Sequence, residues 1–391
     1  MAIDESKGYE PGNHVNAMSS DEFLRSRPRL KGTLEVLHGS DGVIYLMPPA
    51  GGDDFELRNT GDAERELIRL LDGSRTASQI CLQIVERYPQ LTTDEVRASL
   101  ISLAQAGLLE DSTSRPTVLG PQQRMRYDRQ LAYFTELLPY GQSALPLQEK
   151  LAKARVAVLG LGGIGSWVLY GLASSGVGRV RLIDGDRVEL TNLNRQILYH
   201  DSDIGKMKTD AAATRISSYN PDITIETYTL FVKEPHQAEQ VIEGCDFVVE
   251  AADTPVGDLS RWLDAACRSH HVPHIMMSQF PPMVRIGPTF VPESTPCFDC
   301  YEQPSREEFP LYQELMSYRR RRGPVGAATG PVCGFVGSLV ANEVMHYLAG
   351  LADPATLGRA VTVDTRTFEV SVEKVVPSPG CPRCATTTLP A

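Results

Sequence analysis

"RVAVLGLGGIG", residues 155–165, is the stretch that decides the fold of this 391-residue chain. A short apolar run typical of a buried strand is followed by a cluster of glycines and then by a second apolar run that ends near residue 178. Glycine lets the backbone approach a phosphate closely, and the N-terminus of the following helix favours an anion. The stretch therefore predicts strand, loop and helix, since its glycine content is too high for a plain membrane-spanning helix.

A second buried strand is predicted at RVRLIDGD, residues 179–186. It ends in Asp184, which is placed to accept hydrogen bonds from ribose hydroxyls, and Asp186 follows closely. The two strands and the helix between them predict an α/β fold with a Rossmann-like, doubly wound sheet. At this point the nucleotide stays open, because the pattern fits an NAD-dependent dehydrogenase as well as other enzymes.

The next segment, LTNLNRQILYHDSDIGKMKTDAAATRI at 190–216, carries the amides and cations Asn194, Arg195, Gln196 and Lys208. Hydride transfer places little new charge on phosphate. Adenylation does so, because a carboxylate attacks the α-phosphorus and pyrophosphate leaves. A further buried strand, DFVVEAAD at 246–253, is expected to end in Asp253, whose carboxylate could hold Mg²⁺. These segments favour a reaction that forms AMP.

From about residue 126 to residue 391 the chain resembles the E1-like (ThiF/MoeB/HesA) adenylating enzymes. RYDRQ at 126–130, GLGGIG, TNLNRQ and two C-x-x-C pairs occur in the family's order. The resemblance implies that Asp184 contacts ATP through ribose, that Arg195 and Lys208 line the phosphates, and that Asp253 handles the metal and the α-phosphate region. It also implies a homodimer with shared active sites, since Arg129 is similar to an arginine that reaches into the site of the other subunit.

The predicted catalytic residues are Arg129, Arg195, Lys208 and Asp253. The predicted nucleotide-binding residues are Gly160, Gly162, Gly163, Gly165, Asp184, Asp186, Asn194, Arg195, Gln196, Lys208 and Asp253. The expected cofactors are ATP, Mg²⁺ and a structural Zn²⁺.

The zinc prediction rests on Cys297-x-x-Cys300 and Cys381-x-x-Cys384 among eight cysteines. Four thiolates make a closed tetrahedral site with no open position, as in structural zinc centres. Because the polar, acidic N-terminus lacks the pattern of an export signal, disulfides are not expected and a cytoplasmic location is predicted.

Many sulfur-transferring relatives carry a further cysteine after the first pair, but residues 301–332 contain none. Cys333 follows in an apolar run that predicts a buried helix and an inert thiol. This departure weakens a sulfur-carrier function and favours direct attack on the acyl-adenylate. The same stretch, predicted as a loop, carries Arg319–Arg322, which is either an electrostatic guide for an acidic peptide or triphosphate, or a solvated loop.

A smaller domain is predicted at residues 32–111, after a flexible tail over 1–31 and before a linker over 112–125. LEVLHGSDGVIYLM predicts a hairpin that turns at 39–42, and FELRN at 55–59 predicts a third strand. Three helices follow, two of them opened by capping boxes, and Val96, Leu100, Leu103 and Leu108 form an apolar stripe assigned to the third. These elements predict a winged-helix-like α+β unit.

Charge excludes nucleic acid as the partner of this domain. The whole chain has a formal net charge of −11, and residues 61–110 contain five arginines, no lysine and eight acids. Phosphate contacts need excess cation. The order of elements instead resembles PqqD-like domains, which implies that a leader peptide adds as an extra strand to the edge of the small sheet. The alternative is a structural cap on the larger domain.

The sequence thus predicts a homodimeric, zinc-stabilised enzyme that adenylates a carboxylate of a ribosomally made precursor peptide. The mixed anhydride with AMP would prepare the peptide for cyclisation or bond formation, as in pantocin-type or microcin C-type maturation. Three alternatives remain: a sulfur-carrier protein adenylyltransferase, a binding-only relative without catalysis, and an NAD-dependent oxidoreductase. No membrane partner is predicted.

Overall fold

The computed structural model describes residues 19–40, 42–47, 55–58, 60–322 and 326–384. The chain divides into two compact units, a front unit over residues 1–147 and a rear unit over residues 148–391. Each unit contains a buried apolar core of its own, as separately packed modules do.

The front unit combines short strands with helices. Its described elements are α1 (Ser20–Arg25), β1 (Pro28–Leu30), β2 (Glu35–His38), β3 (Ile44–Met47), β4 (Phe55–Leu57), α2 (Asp62–Leu70), α3 (Ala77–Arg87), α4 (Thr93–Gln105), β5 (Leu109–Asp111), α5 (Pro121–Arg126) and α6 (Asp128–Leu137). Strands β2, β3 and β4 form an antiparallel sheet in that order, which confirms the predicted hairpin and third strand.

Helices α3 and α4 begin at the two predicted capping boxes, at Thr76 and Thr92, where each hydroxyl accepts a hydrogen bond from the backbone three residues on. The inward face of α4 is buried at Val96, Leu100 and Leu103, as predicted.

Leu108 was wrongly assigned to this helix. It is buried, but α4 ends at Gln105, and Gly107 turns the chain with a φ of +72°. A left-handed residue of this kind ends a helix.

Residues 19–31, which the sequence analysis placed in a tail, are folded. Helix α1 buries Phe23, and β1 pairs antiparallel with β5, where Arg29 and Glu110 form an ion pair at 2.7 Å. Elements of three to six residues are too short to give a hydrophobic period, so the sequence pattern missed them. Helix α5 likewise lies partly within the predicted linker. The first 18 residues of that tail lie outside the described residues.

The rear unit is built on one large sheet. Its elements are α7 (Leu145–Lys153) at the unit boundary, β6 (Arg155–Leu159), α8 (Gly163–Ser175), β7 (Arg179–Ile183), α9 (Lys208–Tyr219), β8 (Thr224–Tyr228), α10 (Pro235–Ile242), β9 (Phe247–Glu250), α11 (Asp258–Ser269), β10 (His274–Phe280), β11 (Met283–Phe290), α12 (Phe298–Glu308), α13 (Tyr312–Arg322), α14 (Gly330–Ala349), β12 (Arg359–Asp364) and β13 (Val370–Lys374).

The sheet has the order β13-β12-β11-β10-β9-β6-β7-β8 and is mixed. Strands β8, β7, β6, β9 and β10 run parallel, and β11 to β13 extend the sheet by antiparallel pairing. The α/β prediction is confirmed, with an antiparallel extension that it did not include. The chain leaves β6 toward β7 on one side and returns at β9 on the other. Such a switch opens a crevice at the carboxyl ends of the strands.

Helices cover both faces of this sheet. Val248 packs in a core shared with α10 and α11, whereas its neighbour Phe247 contacts Tyr347 of α14 on the opposite face. Within the described residues, α14 alone has the length and hydropathy that a membrane span needs, and 56% of its most apolar window is buried in the protein. Its apolar character is accounted for by packing, much of it against α8.

Truncation of Leu100 tests the front core. Its side chain is fully buried on α4, whereas Leu82 on α3 is 61% exposed. We expect Leu100→Ala to lower the free energy of unfolding by about 2–5 kcal/mol through lost burial and a cavity. Leu82→Ala is the matched control, with an expected change within about 0.5 kcal/mol. Urea denaturation of the full chain measures both, and equal losses would contradict this packing.

Candidate nucleotide site and cysteine cluster

Two glycines of the loop after β6 are required by the backbone itself. Gly160 has a φ of +92°, and a Cβ there would lie 2.6 Å from the nitrogen of Ala252. At Gly165 a Cβ would lie 1.9 Å from the carbonyl oxygen of Gly160. The loop therefore folds tightly against the segment after β9, and α8 begins directly on the loop.

Of the other two loop glycines, Gly162 borders open space and Gly163 packs against side chains. A Cβ at Gly162 would meet no protein atom within 4 Å, and no side chain of the described residues caps α8 at this position. At Gly163 a Cβ would lie 2.7 Å from Cys333 Sγ and 3.4 Å from Cδ of Arg195. Uncapped N–H groups at a helix start, beside an arginine, are suited to an anion.

Asp184 follows β7 and holds this loop in place. One carboxylate oxygen accepts a hydrogen bond from the backbone N–H of Leu161 at 2.8 Å, and the other accepts from that of Asp186 at 2.8 Å. Tyr199, which the sequence analysis did not single out, donates its hydroxyl to the Leu161 carbonyl at 2.9 Å. Burial raises the pKa of the Tyr199 hydroxyl, so it remains a donor. The loop is thus fixed through both backbone groups of Leu161.

Lys208 is the first residue of α9 and lies between the two predicted acids. Its Nζ donates to Asp186 at 2.8 Å and lies 3.9 Å from Asp184. The ammonium group is buried, while Asp186 remains half exposed. A buried cation paired in this way is held in one position, at the mouth of the crevice.

Asn194, Arg195 and Gln196 follow a short 3-10 turn at Leu190–Asn192. The Arg195 guanidinium donates to the Asn194 side chain at 2.8 Å and to the Thr191 carbonyl at 2.9 Å. Its carbonyl accepts a hydrogen bond from the α8 side chain Trp167 at 3.3 Å. The structure thus brings Arg195 and Asn194 to the glycine loop, as predicted.

Gln196 has a different setting from its neighbours. Its side chain is only 3% exposed, and its Oε1 atom has no hydrogen-bond partner among the described residues.

Asp253 lies three residues beyond the end of its strand. The sequence analysis ended the strand at this acid, but β9 ends at Glu250, because the chain turns away there to pass the glycine loop. Desolvation raises the pKa of the Asp253 carboxyl, and the charge of Asp186 also raises it. A hydrogen bond from its own backbone N–H and the charge of Lys208 lower it. The charges of Asp186 and Lys208 thus act on the Asp253 carboxyl.

Arg129 lies in the front unit, where it is exposed on α6. Its participation in a shared site stays a prediction.

Cys297, Cys300, Cys381 and Cys384 converge in a second site. All four are buried, and their sulfur atoms lie within 4.8 Å of one another, with separations of 3.6–3.7 Å between Cys297 and Cys300, Cys297 and Cys381, and Cys300 and Cys384. Ligands at a Zn–S distance of about 2.3 Å in a tetrahedron are separated by roughly 3.8 Å. Backbone N–H groups of Cys297 and Ser378 point at sulfur atoms of the cluster. The donors and spacing fit a structural zinc ion.

The arginine row is helical, which corrects the predicted loop. Arg319–Arg322 form the last turn of α13. Arg320 donates to Asp258 at 2.8 Å and to the Val256 carbonyl at 3.4 Å, so it contacts the segment that leads from Asp253 into α11. The sequence could not show this, since the pairing joins residues more than 60 positions apart.

Cys333 has the buried helical setting that its sequence predicted. It lies in the first turn of α14, and burial raises the pKa of its thiol. Its Sγ lies 3.6 Å from the side-chain oxygen of Gln279. A protonated, enclosed thiol is a poor nucleophile.

Known proteins resemble this chain in sequence. Residues 127–384 match the model of the ThiF family. The chain is 30% identical over 266 residues to the molybdopterin-synthase adenylyltransferase of Escherichia coli, covering 68% of this chain and 98% of that protein. It is 32% identical over 267 residues to the sulfur carrier protein adenylyltransferase of Thermus thermophilus, covering 66% of this chain and 90% of that protein.

Solved structures share the fold over a longer stretch. Escherichia coli MccB, crystallised with ATP, superposes with a TM-score of 0.71 at 23% identity, covering 91% of this chain and 99% of MccB. PaaA superposes with a TM-score of 0.68 at 24% identity, covering 88% of this chain and 98% of PaaA.

The cysteine cluster predicts a stoichiometric metal. We expect the purified protein to contain about one zinc per chain, and Cys381→Ala to lose it, because three thiolates leave the tetrahedral site open. Cys81→Ala is the control, since Cys81 is buried in the front unit and belongs to no such cluster in the described residues. Elemental analysis measures the zinc content per chain, and full zinc content in Cys381→Ala would contradict the assignment.

Proposed function

Because the chain belongs to the ThiF family, and the two curated relatives compared above are adenylyltransferases, we propose that it uses ATP to adenylate a carboxylate of a ribosomally made precursor peptide. The observation that carries the adenylation step is the gathering of Arg195, Lys208 and Asp253 around an uncapped glycine loop. Attack of a carboxylate on the α-phosphorus builds negative charge there, and fixed cations stabilise it. The family assignment leaves the NAD-dependent oxidoreductase without support.

In this proposal each residue acts on one part of ATP. The N–H groups at the start of α8 bind phosphate, and Asp184 accepts from ribose hydroxyls. Asn194 and Arg195 line the phosphates beside Gly163. The ammonium group of Lys208 pairs with phosphate, and Asp186 competes for the same ammonium group. Gln196 completes the nucleotide-binding set, with an amide oxygen that has no protein partner in the described part of the chain.

Asp253 and Asp186 are the carboxylates that would hold Mg²⁺, because hard oxygen ligands beside phosphates suit this ion. When bound, the ion would neutralise phosphate charge in the transition state. Asp253 is exposed toward the crevice and Asp186 is half exposed, so both can reach a ligand. In the product, a mixed anhydride with AMP replaces a poor leaving group by a good one, so a nearby nucleophile can close a ring or form a new bond.

We further propose that the front unit contains a PqqD-like, winged-helix-like domain that captures the leader of the peptide. Support comes from its three-stranded sheet followed by three helices, and from a fold likeness to MccB that extends over 91% of the chain. That likeness includes a structure of MccB with the peptide MccA. The proposed domain spans residues 32–111, between a tail and a linker over 112–125, and the adenylation domain spans 126–391.

The remaining partners belong to the same proposal. A cytoplasmic homodimer would let Arg129 of one subunit complete the site of the other, and a structural zinc at the cysteine cluster would hold the C-terminal segment. The second candidate, a sulfur-carrier adenylyltransferase, is favoured by the names of the relatives. It lacks a cysteine in residues 301–332 for a persulfide or thioester. A sulfur carrier ending in Gly-Gly and peptides from neighbouring short reading frames are therefore the two substrates to compare.

ATP–pyrophosphate exchange tests adenylation. With the peptide substrate present, we expect Arg195→Ala and Asp253→Ala each to lower exchange by at least about 100-fold, since a fixed charge at the phosphates is lost. Arg366→Ala and Asp222→Ala are matched controls, because both are exposed charged side chains of the rear unit that are not among the proposed site residues. Near-normal exchange in either site variant would refute the site, and absence of exchange in the wild type would indicate a binding-only protein.

The edges of the small sheet test peptide capture. Gly39 donates to the Val43 carbonyl at 2.8 Å, and the alternation of antiparallel pairs then directs the backbone N–H groups of His38 and Glu56 away from β3, toward the two edges. Proline removes such a donor. We expect His38→Pro or Glu56→Pro, whichever edge receives the leader, to weaken peptide binding at least about tenfold.

The controls are His38→Ala and Glu56→Ala, which remove the side chain and keep the N–H. Fluorescence anisotropy of a labelled precursor peptide measures the affinities, and circular dichroism verifies the fold. Unchanged affinity in both proline variants would reject strand addition and favour a structural cap.

A further inference from the structure

Glu250 stands at the start of the segment that carries Asp253. It is the last residue of β9, and its side chain is 5% exposed. The segment runs from Ala251 to Gly257, and Ser260 follows it in the first turn of α11. Neither Glu250 nor Ser260 has a role in the adenylation proposal, and the sequence analysis did not single them out.

The two side chains are joined in the interior. Ser260 Oγ donates a hydrogen bond to Glu250 Oε1, and both side chains are buried. The second oxygen, Oε2, has no partner among the described residues. Burying a carboxyl group without a paired cation costs free energy. Losing the hydrogen bond from Ser260 would therefore destabilise this part of the protein. This bond ties the strand before the segment to the helix after it.

The segment is also held at other points, which limit where it can move. The Ala251 N–H donates to the Leu159 carbonyl at 2.8 Å, and the Gly160 backbone packs on Ala251 and Ala252. At the far end, Arg320 binds the Val256 carbonyl from the exposed side. Asp253 lies between these contacts and is exposed. The Glu250–Ser260 bond therefore closes the base of the loop on which Asp253 stands.

We propose that Glu250 and Ser260 are positioning residues that fasten the Ala251–Gly257 segment and thereby hold the Asp253 carboxylate in its place beside Asp186 and Lys208. This inference rests on the proposed adenylation, because it assigns the fastened segment a purpose in that reaction. It also predicts that the hydrogen bond restricts motion of the segment's backbone, and this can be measured without any substrate.

The charge state of Glu250 is compatible with its buried hydrogen bond to Ser260. Burial raises the pKa of its carboxyl, the Ser260 hydroxyl lowers it and Asp264 raises it, and the net result is a pKa of about 8. Cys267 on α11 and His274 on β10 are also buried, and burial favours the neutral form of each. The charged residues Asp258, Arg261 and Arg268 of α11 form ion pairs with other acids or bases. This raised pKa favours the neutral form of Glu250 near pH 7. Glu250 acquires a buried charge facing Asp264 only in alkaline solution.

Ser260→Ala is the decisive variant, because it removes one hydroxyl and leaves the core volume nearly unchanged. We expect backbone amides of residues 251–257 to exchange with deuterium roughly tenfold faster, with no change in β6. With peptide and ATP, we expect kcat of pyrophosphate exchange to fall roughly tenfold while KM for ATP changes little, since Asp253 is displaced from the transition state. Ser269→Ala, at the end of the same helix, is the control and should match the wild type in both measurements.

Glu250→Gln separates positioning from simple packing. We expect pyrophosphate exchange by the wild type to decline above about pH 8, where Glu250 ionises beside Asp264. The amide keeps the acceptor for Ser260 and cannot ionise, so Glu250→Gln should retain wild-type exchange at pH 7 and show no such decline. Glu250→Ala cannot ionise either, but it also removes the acceptor for Ser260, so its exchange should already be low at pH 7.

The outcomes are distinguishable. Unchanged deuterium exchange in Ser260→Ala would overturn the inference, whatever the activity. Faster deuterium exchange with normal kcat would also overturn it, because the fastening would then have no role in catalysis. If the wild type showed no pyrophosphate exchange while Ser260→Ala still loosened residues 251–257, the fastening would stand and the proposed function would fall.

Discussion

The crossing of the glycine loop and the segment after β9 is the constraint on which the site depends. Gly160 can pass this segment only because it has no side chain, since a Cβ would overlap the backbone of Ala251 and Ala252. Asp184 and Tyr199 then fix the loop from the other side through the backbone of Leu161. One tight contact thus sets the position of the loop, of the start of α8 and of the segment that carries Asp253.

Of the two cations near this crossing, one is paired with carboxylates and the other is not. Lys208 is buried between Asp184 and Asp186, so its cost of desolvation is offset by two carboxylates. The Arg195 guanidinium instead donates to an amide oxygen and to a backbone carbonyl, and neither carries a charge. It therefore brings positive charge to the loop. A bound triphosphate would therefore lie near two different cations. Lys208 is paired with carboxylates, whereas Arg195 is hydrogen-bonded to neutral groups.

The cysteine cluster joins parts of the rear unit that are distant along the chain. Cys297 and Cys381 are 84 positions apart, yet their sulfur atoms lie 3.6 Å from each other. Around the cluster, Arg383 pairs with Asp264 and Asp299, which connects the C-terminal knuckle to α11 and α12. The same helix α11 supplies Ser260 to the proposed fastening, so a metal at the cluster and the Asp253 segment would share a support.

Much of this could be predicted from local patterns. Strand β6, the glycine loop, α8, β7, the capping boxes and the cysteine pairs were all visible, because each depends on residues close together in sequence. The short elements α1 and β1 were missed because they are too short to show a period. The end of β9 was placed three residues too late, since its apolar run continues through Ala251 and Ala252 after the backbone has left the sheet.

The sequence by itself determined the α/β class and the ThiF resemblance, and it supplied the candidate site residues, because those depend on local hydrophobic spacing and on motifs. Only the tertiary structure decided that Glu250 and Ser260 meet, that Tyr199 grips the loop and that Arg320 belongs to a helix touching the Asp253 segment. These contacts join residues brought together by packing, and a buried carboxyl looks the same in a sequence as one on the surface.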